Sequence, residues 1–327
     1  MNSNVLLYHS NIPPDAPPDE LDVLDEAAHF SGVLGKLGYV VYMFPFPESP
    51  LDLEKQIKQI NPAFVVNLVE TVLSSGRLIA IAPMLFEHFG VKYTGCNAEA
   101  TYVTSNKILA KKILQFNNIN TPDCITLNKH DSGYKGSHKQ FILKSLFEHA
   151  SYGMDEHVMK TYSNVTEINK LLADKSTEHI YFAEEYIDGR EFNISLLGGP
   201  VGPQILPVAE ICFQNYPKDK LRIVGYRSKW DEESFEYKHT VRTFDSLPQD
   251  SELFEQLQDI CIKCWKIFNL KGYARIDFRI DKNNVPYVLE INTNPCISPD
   301  SGFVAATRKA GLSFEEVIAR IIFDANI

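Results

Sequence analysis

The most informative stretch of this sequence reads Arg275-Ile276-Asp277-Phe278-Arg279-Ile280 and, after a turn at residues 281–284, Tyr287-Val288-Leu289-Glu290-Ile291-Asn292-Thr293-Asn294-Pro295. Polar and apolar side chains alternate along both halves, and this period of two predicts a β-hairpin. Arg275 and Asp277 then share one face of the first strand, and Glu290 and Asn292 share one face of the second. Cross-strand pairing is expected to gather Asp277, Glu290 and Asn292 around one point.

These hairpin side chains match the ligand preferences of a magnesium site. Two carboxylates and an amide supply hard oxygen donors beside the cation of Arg275, which suits Mg²⁺ bound to substrate phosphates. The alternative is the solvated outer face of an ordinary hairpin. Such a face would normally mix Lys, Thr and Ser with its acids, so the pattern favours the metal site.

Length, charge and composition restrict the class of protein. The chain has 327 residues and a net charge of −10. The length predicts two or three domains, and the charge argues against a nucleic-acid partner, because neutralising phosphates needs a basic face. No secretory signal begins the sequence, and no apolar run reaches the roughly 20 residues that cross a bilayer. We therefore expect a cytoplasmic location and no membrane contact.

Two of the six cysteines are close together, as Cys261-x-x-Cys264. Metal binding is one interpretation of this spacing, and core packing is the other. Leu253, Leu257, Cys261 and Cys264 recur at helical spacing, and no second ligand pair completes a zinc tetrahedron. The pattern favours two thiols that face a hydrophobic core.

The first hundred residues alternate strands with helices, which predicts βαβ units and a mostly parallel sheet. The predicted elements are strand 5–8, helix 19–37, strand 39–44, helix 51–60, strand 64–68 and helix 77–89. Next come a lysine-rich helix at 107–114, a polar surface loop at 128–137 and a strand at 141–144. Strands dominate after Tyr181, and a capping box at Ser313 and Glu316 begins the last helix. We expect three domains, at 1–100, 101–182 and 183–327.

The common phosphate-binding loops are absent, since the sequence contains neither G-x-x-x-x-G-K-[ST] nor G-x-G-x-x-G. The hairpin motifs, Arg275-x-Asp277 and Glu290-x-Asn292-Thr293-x-Pro295, instead resemble the metal-binding hairpin of the D-alanine–D-alanine ligases and their ATP-grasp relatives. Supporting motifs in the same order are Asn67-Leu68-Val69-Glu70, Gly76-Arg77, Lys92-Tyr93-Thr94-Gly95 and Ser105-Asn106-Lys107 through Thr121-Pro122. The resemblance implies an ATP-grasp fold of α/β class, α+β in its C-terminal half, with an N-terminal parallel-sheet domain.

The nucleotide-binding residues implied by the resemblance are Lys107, Lys144, Ser151, Glu184, Glu185, Tyr186, Ile187 and Glu191. The two lysines match those that hold the α and β phosphates, although Lys107 taken alone is typical of a solvated helix face. Lys144 ends an apolar strand, where a phosphate would remove the cost of burying an unpaired ammonium. Ser151 lies in a loop that closes over the phosphates, residues 184–187 meet the adenine edge, and Glu191 takes the ribose hydroxyls.

The resemblance also implies the catalytic and metal-binding residues. Asp277, Glu290 and Asn292 would bind two Mg²⁺ ions, with Mn²⁺ as an alternative, and Arg275 would stabilise the oxyanion of a tetrahedral intermediate. Lys229 lies in a lid segment, 226–231, and would reach the γ-phosphate of ATP. Ser301 and Gly302 match the site of the second substrate's carboxylate, although a Ser-Gly pair before a helix is equally ordinary capping.

Three positions that recognise the first substrate depart from the family pattern. No glutamate aligns within residues 9–18, Ala150 stands where a serine is expected, and Trp230 stands where a tyrosine is expected. The implied function is an ADP-forming carboxylate–amine ligase that acts through an acylphosphate on small amino acids or peptides, with a substrate pair other than two D-alanines. The alternatives are an ATP-grasp enzyme that only phosphorylates its substrate or joins larger peptides, and a nucleotide-binding regulator without turnover. A homodimer is compatible with each.

Overall fold

The computed structural model describes residues 2–13, 15–127, 139–147, 161–175, 180–249 and 251–325. The predicted polar loop at 128–137 and the phosphate-closing loop that contains Ala150 and Ser151 lie outside the described residues.

The N-terminal part is a three-stranded parallel sheet, as predicted, with β1 in the centre of the order β2-β1-β3. Its elements are β1 (Asn4–His9), α1 (Pro18–Lys36), β2 (Val40–Pro45), α2 (Pro50–Ile60), β3 (Phe64–Leu68) and α3 (Ile81–His88). The side chains of β3 are all buried, which explains why four of its five residues are apolar. β1 and β3 end at the same edge of the sheet. From that edge the chain continues to α1 after β1 and to residue 70 after β3.

The third predicted helix, 77–89, is divided in the structure. A 3-10 turn occupies Gly76–Leu78, and α3 begins only at Ile81. Pro83 lies in the first turn of α3, where its missing N–H is tolerated. A continuous helix would place the same proline in the interior, where it removes a hydrogen bond and its ring clashes with the preceding turn.

A second sheet, antiparallel and of order β4-β6-β5, follows two helices. The elements of this part are α4 (Ala98–Ser105), α5 (Lys107–Phe116), β4 (Cys124–Thr126), β5 (Phe141–Ser145), α6 (Val165–Lys175) and β6 (Tyr181–Glu185). Asn106 caps α5 by accepting a hydrogen bond from the backbone N–H of Leu109. Because β6 crosses residue 182, it extends the second sheet slightly past the expected boundary.

The third sheet is antiparallel, of order β10-β9-β7-β11-β12, with β8 paired to β7. The elements of this part are β7 (Gly189–Leu197), β8 (Gln204–Ile205), β9 (Ala209–Phe213), α7 (Arg227–Trp230), α8 (Phe235–His239), β10 (Thr240–Thr243), α9 (Glu252–Ile267), β11 (Tyr273–Asp281), β12 (Pro286–Asn292), α10 (Gly302–Lys309) and α11 (Phe314–Asp324). β11 and β12 form the predicted hairpin.

Two hydrophobic cores pack the first and third sheets against their helices. One joins the N-terminal sheet and α1 to α10 and α11, so the two ends of the chain pack together. The other packs α9 and parts of α4 and α5 against the third sheet, and it contains both Cys261 and Cys264. The prediction that these thiols face a core is confirmed. Ser313 and Glu316 form the predicted capping box. In the part of the chain that the structure describes, no helix combines the length and apolar character that a membrane span requires.

Candidate active site

A cavity of about 630 Å³ lies among the three sheets and gathers most of the residues singled out from the sequence. Its lining includes Lys107, Lys144, Glu185, Tyr186, Ile187, Glu191, Lys229, Arg275, Asp277, Glu290, Asn292, Ser301 and Gly302. Of the remaining predicted residues, Glu184 is buried beside the cavity and Ser151 is not described.

The β11–β12 hairpin supplies the charged centre of the cavity. Arg275 lies opposite Asn292 and Asp277 opposite Glu290, and the register then shifts so that Leu289 of β12 has no partner residue on β11. Arg275 binds Asp277 through two hydrogen bonds of 2.8 and 2.9 Å, and its Nη2 lies 3.9 Å from Oε1 of Glu290. The predicted gathering of these side chains is thus observed.

The charges within this cluster change its proton affinities. Burial raises the pKa of the Asp277 carboxyl, partly offset by Arg275. For Arg275, burial lowers the pKa, but the charges of Asp277 and Glu290 outweigh it and raise the pKa above its usual range. The guanidinium therefore stays cationic, and Glu290 contributes a second negative charge to the same wall of the cavity.

The donor set of the hairpin suits a hard cation that shares its coordination with a substrate. Among the described residues, no three His, Cys, Asp or Glu side chains are grouped as a closed metal cage. The hairpin instead brings together two carboxylates and the amide of Asn292, whose Oδ1 accepts a hydrogen bond from the Asn294 backbone. Magnesium is commonly bound by one or two carboxylates together with phosphate oxygens, and the residues present fit that arrangement.

A buried carboxylate flanked by two ammonium groups lies next to the hairpin. Oε1 of Glu184 is 2.7 Å from Nζ of Lys111, and Oε2 is 2.6 Å from Nζ of Lys144. Burial would raise the pKa of the Glu184 carboxyl, but the two lysines outweigh it and lower the pKa. Lys111 is also held by the hydroxyl of Thr121, at 2.9 Å. Pairing of this quality is what makes buried charges tolerable.

This triad changes two interpretations of the lysines. The ammonium of Lys144 is paired with Glu184 and is therefore not the unpaired charge that was expected. The same carboxylate also serves Lys111, so the triad keeps a net positive charge that suits a phosphate. Lys107 and Lys111 are 6% and 2% exposed, four residues apart on one face of α5, so the solvated-face alternative for Lys107 is wrong. Glu184 was expected at the adenine edge, and both of its oxygens are already bound by the two lysines.

The segment after β6 forms the edge of an apolar part of the cavity. The backbone N–H groups of Glu185 and Tyr186 donate to the carbonyls of Asp123 and Gln140, at 2.8 and 2.7 Å. Apolar side chains from three strands and from residues 221–224 line the same region, namely Ile142, Ile211, Leu289 and Ile223. A flat base fits such a slot, with Ile187 at its backbone edge.

Glu191 lies at the polar end of the apolar slot and is paired with an arginine that the sequence analysis did not single out. Oε2 of Glu191 is 2.9 Å from Nη2 of Arg279, its direct neighbour on β11. Burial raises the pKa of the Glu191 carboxyl, and the charge of Arg279 acts in the opposite direction.

The segment 226–231 covers one side of the cavity. Burial and the charge of Arg275 lower the pKa of the Lys229 ammonium. Tyr226 connects this segment to α1 through a 3.0 Å hydrogen bond from its hydroxyl to Asp19. The indole N–H of Trp230 is buried without a hydrogen-bond partner in the described part of the chain.

The N-terminus of α10 faces the hairpin. Ser301 caps this helix, accepting a hydrogen bond from the backbone N–H of Val304, so the capping interpretation is correct whatever else the residue does. Nη2 of Arg242 lies only 3.6 Å from where a Cβ on Gly302 would stand. Arg242 thus places a cation beside the N-terminus of α10, and Arg275 is near enough to Arg242 to lower its pKa, although burial is the larger cause. Such an arrangement attracts carboxylates.

The opposite wall is acidic. Asp19, Asp22 and Glu70 line the cavity, and Glu26 is buried behind them. Asp22 accepts a hydrogen bond from the thiol of Cys296 at 2.9 Å, and the hydroxyl of Ser10 holds the backbone of Glu70 at 2.9 Å. Within the described residues, none of these four acids forms an ion pair with a Lys or Arg side chain.

The carboxyl groups of the acidic wall repel one another. Burial and the charges of Asp22 and Asp19 raise the pKa of the Glu70 carboxyl to about 7. Burial and the charge of Glu70 raise the pKa of Glu26. A cationic group bound here would relieve the repulsion.

Sequence reasoning missed several of these residues, and local signals existed for some. Arg279 continues the period-two series of Arg275 and Asp277, and Lys111 follows Lys107 by one helical turn. Glu70 follows the carboxyl end of a parallel strand, where ligand-binding residues of α/β sheets gather. Nothing local marks the role of Arg242 or Asp22.

Comparison with known proteins gives a consistent picture. The family model described as the D-ala D-ala ligase C-terminus matches residues 142–323, more than half of the chain. The D-alanine–D-alanine ligase of Aquifex aeolicus is 29% identical over 242 residues, covering 73% of this chain and 75% of that protein. The corresponding ligase of Pseudothermotoga lettingae is 28% identical over 292 residues, covering 88% and 89%.

The fold has close counterparts among solved structures. The crystal structure of D-alanine–D-alanine ligase from Bacillus anthracis complexed with ATP aligns with a TM-score of 0.73 at 21% identity, covering 99% of this chain and 97% of that one. This likeness confirms the predicted fold class, an ATP-grasp architecture preceded by a parallel-sheet domain.

Proposed function

Because the chain belongs to the D-ala D-ala ligase C-terminus family, we propose that it is an ATP-dependent carboxylate–amine ligase that forms a peptide bond through an acylphosphate. The observation that carries this proposal is the single cavity that unites the hairpin cluster, the lysines of α5 and β5, the apolar slot and a charged substrate region. Three domains, at 1–100, 101–182 and 183–327, a homodimer and a cytoplasmic location stay predictions.

The proposed reaction has two steps. A substrate carboxylate attacks the γ-phosphorus of ATP, which forms the acylphosphate and releases ADP. The amine of the second substrate then attacks the acyl carbon, and collapse of the tetrahedral intermediate expels phosphate. Magnesium, when bound, would neutralise charge on the β and γ phosphate oxygens.

The residues of the cavity have separate tasks in this reaction. Asp277, Glu290 and Asn292 would hold the metal, and Lys107 and Lys144 would bind the α and β phosphates. Lys229 would reach the γ-phosphate, since its lowered pKa reflects an ammonium whose burial is incompletely compensated. Arg275, fixed by its bidentate contact with Asp277, would donate to the oxyanion of the tetrahedral intermediate.

The substrate region is bipolar, which suits zwitterionic amino acids or short peptides. Arg242 and the α10 N-terminus at Ser301 and Gly302 would bind the second substrate's carboxylate. Asp22 and Glu70 would bind the first substrate's ammonium. Residues 9–18 contain no aligned glutamate that could do so. Acids are thus available for the first substrate's ammonium, and the proposal of a substrate pair different from two D-alanines rests on the unaligned glutamate, Ala150 and Trp230.

The identity of the substrate pair leads to a direct test. With Mg-ATP and D-alanine at millimolar concentration, we expect no efficient formation of the dipeptide, measured by mass spectrometry. Trp230 offers one N–H donor and no acceptor, so it does not reproduce a tyrosine hydroxyl. Other amino acid pairs, screened by ADP release from the same preparation, are expected to support turnover. Dipeptide formation near one per second or faster, within the usual enzyme range, would make this an ordinary D-alanine–D-alanine ligase.

The screen also separates the two rival functions. Release of ADP with a carboxylate alone, without an amine, would indicate a kinase that stops at the acylphosphate. Binding of ATP without ADP release from any pair would indicate a regulator. The hairpin cluster opposes the second rival, because a protein that only binds nucleotide has no need of Arg275 aimed at a substrate.

The acidic wall predicts a pH dependence. A carboxyl with a pKa near 7 keeps its proton below that pH and becomes an anion above it. Because only the anion attracts an ammonium strongly, kcat/KM for the first substrate should rise about tenfold between pH 6 and 8, as expected for one such titration. The Glu70→Gln variant should lack this rise. Glu48→Gln, at an exposed acid outside the cavity, should retain it. A rise that persists in Glu70→Gln would exclude this role.

A further inference from the structure

Arg279 is a buried arginine at the nucleotide end of the cavity. It is 3% exposed and lies on β11 directly opposite Glu191 of β7. Its Nη1 donates to the carbonyl of Gly189 at 2.9 Å, and its Nη2 donates to the carbonyl of Arg222. The same Nη2 is 2.9 Å from the Glu191 carboxylate.

The guanidinium also contacts aromatic rings. Its central carbon lies 5.9 Å from the ring centroid of Tyr186 and 5.5 Å from that of Phe213. The Tyr186 side chain is itself hydrogen-bonded to the backbone of Arg222. One side chain thus connects β7, β9, the segment after β6 and residues 221–224, whose Ile223 and Val224 line the cavity.

We propose that Arg279 is a positioning residue for the nucleotide: it orients the Glu191 carboxylate toward the ribose hydroxyls and fastens residues 221–224 over the base. The inference rests on the proposed function, in that the nucleotide is taken to be ATP. The observed contacts of the Arg279 guanidinium are with protein groups, Gly189, Arg222 and Glu191, and we assign its effect on the nucleotide to Glu191 and residues 221–224.

Charge and geometry support this role. Glu191 is buried near the carboxylate of Asp277, whose charge disfavours a second anion, and Arg279 supplies the compensating cation. Without the guanidinium, Glu191 would lose both its counter-charge and its fixed direction, which are the properties that a hydroxyl-binding carboxylate needs. A methionine would fill the space without either property.

The test measures the preference of the full chain for an intact ribose. Calorimetry gives the affinities for three ligands, Mg-ADP, Mg-2′-deoxy-ADP and Mg-3′-deoxy-ADP, so the substrates need not be known. A hydrogen bond to a charged acceptor corresponds to roughly 10- to 100-fold in affinity. The wild type should therefore prefer ADP over at least one deoxy analogue by about tenfold or more. Arg279→Met should weaken ADP binding about tenfold and reduce that preference to about twofold or less.

Four further variants make the outcome decisive. Glu191→Gln should remove the same preference, and the double variant should lose little more than either single one, because both act on one contact. Arg279→Lys keeps the positive charge but has no planar guanidinium, so its preference for ADP over the deoxy analogue should fall at least about threefold. This variant replaces Arg279→Met in the test if Arg279→Met does not fold. Arg308→Met, at an exposed arginine of α10, is the matched control and should behave as wild type.

The possible failures are distinguishable. A lower melting temperature in both Arg279 variants, with the ribose preference of the wild type intact, would show a structural role only and overturn the inference. Absence of ADP binding by the wild type would instead contradict the proposed function, and the inference would fall with it.

Discussion

Replacing Glu290 by glutamine is expected to reduce turnover about a thousandfold or more while leaving the fold intact. Glu290 is the hairpin carboxylate that Arg275 does not bind bidentately, so it is the acid best placed to share its oxygens with a cation. Metal ions contribute several kcal/mol of charge stabilisation in phosphoryl transfer, and about 4 kcal/mol corresponds to a thousandfold in rate. Glutamine preserves the size of the side chain and removes only its charge.

The measurement is ADP release with an amino acid pair found active in the screen, over a range of magnesium concentrations. Circular dichroism and the melting temperature check the fold. Glu255→Gln is the matched control, since Glu255 is exposed on α9 and does not line the cavity. ADP release at the wild-type rate by Glu290→Gln would contradict the metal assignment for the whole hairpin.

Replacing Arg275 by lysine should lower kcat by about a hundredfold to a thousandfold, the usual effect of removing one oxyanion donor. Lysine keeps the positive charge but has no planar fork, so it loses the two parallel bonds to Asp277 that aim the side chain. The KM for ATP should change little, because the lysines at 107 and 144 rather than Arg275 are assigned to the α and β phosphates.

The split between kcat and KM is therefore the diagnostic result for Arg275. Steady-state rates of the variant are compared with those of Arg308→Lys, an exposed arginine in the last turn of α10. If the variant raises the KM for ATP and leaves kcat unchanged, Arg275 contributes to nucleotide binding and not to the chemical step. Loss of the melting transition would identify the contact with Asp277 as structural.

Local patterns in the sequence were sufficient for most of the N-terminal secondary structure and for the hairpin cluster. The period-two alternation at 275–280 and 287–292 places the polar side chains on one face, and the observed register pairs Asp277 with Glu290 as expected. Alternation of strands and helices likewise predicted the parallel sheet. The main error, a single helix at 77–89, arose because apolar periodicity continues through Pro83 although its backbone chemistry forbids an uninterrupted helix there.

Charge pairing could not be predicted in the same way, because partners in an ion pair need no regular spacing. Lys144 was expected to be unpaired without a phosphate, yet Glu184, from the neighbouring strand, pairs with it. Only the register of β5 against β6 and the docking of α5 bring Lys111 and Lys144 to the same carboxylate. Arg279 and Glu191 met for the same reason, through the register of β11 against β7.

The sequence alone therefore establishes the kind of chemistry. Local periodicity and motif order specify the hairpin, the lysine-bearing helix and the family resemblance, because each of these depends on neighbours along the chain. The substrate region is specified only by the tertiary structure. Asp22 and Cys296 are 274 positions apart and form a hydrogen bond because α1 packs beside the residues that follow β12. No short-range pattern encodes such a distance, since packing of the two chain ends in one hydrophobic core determines it.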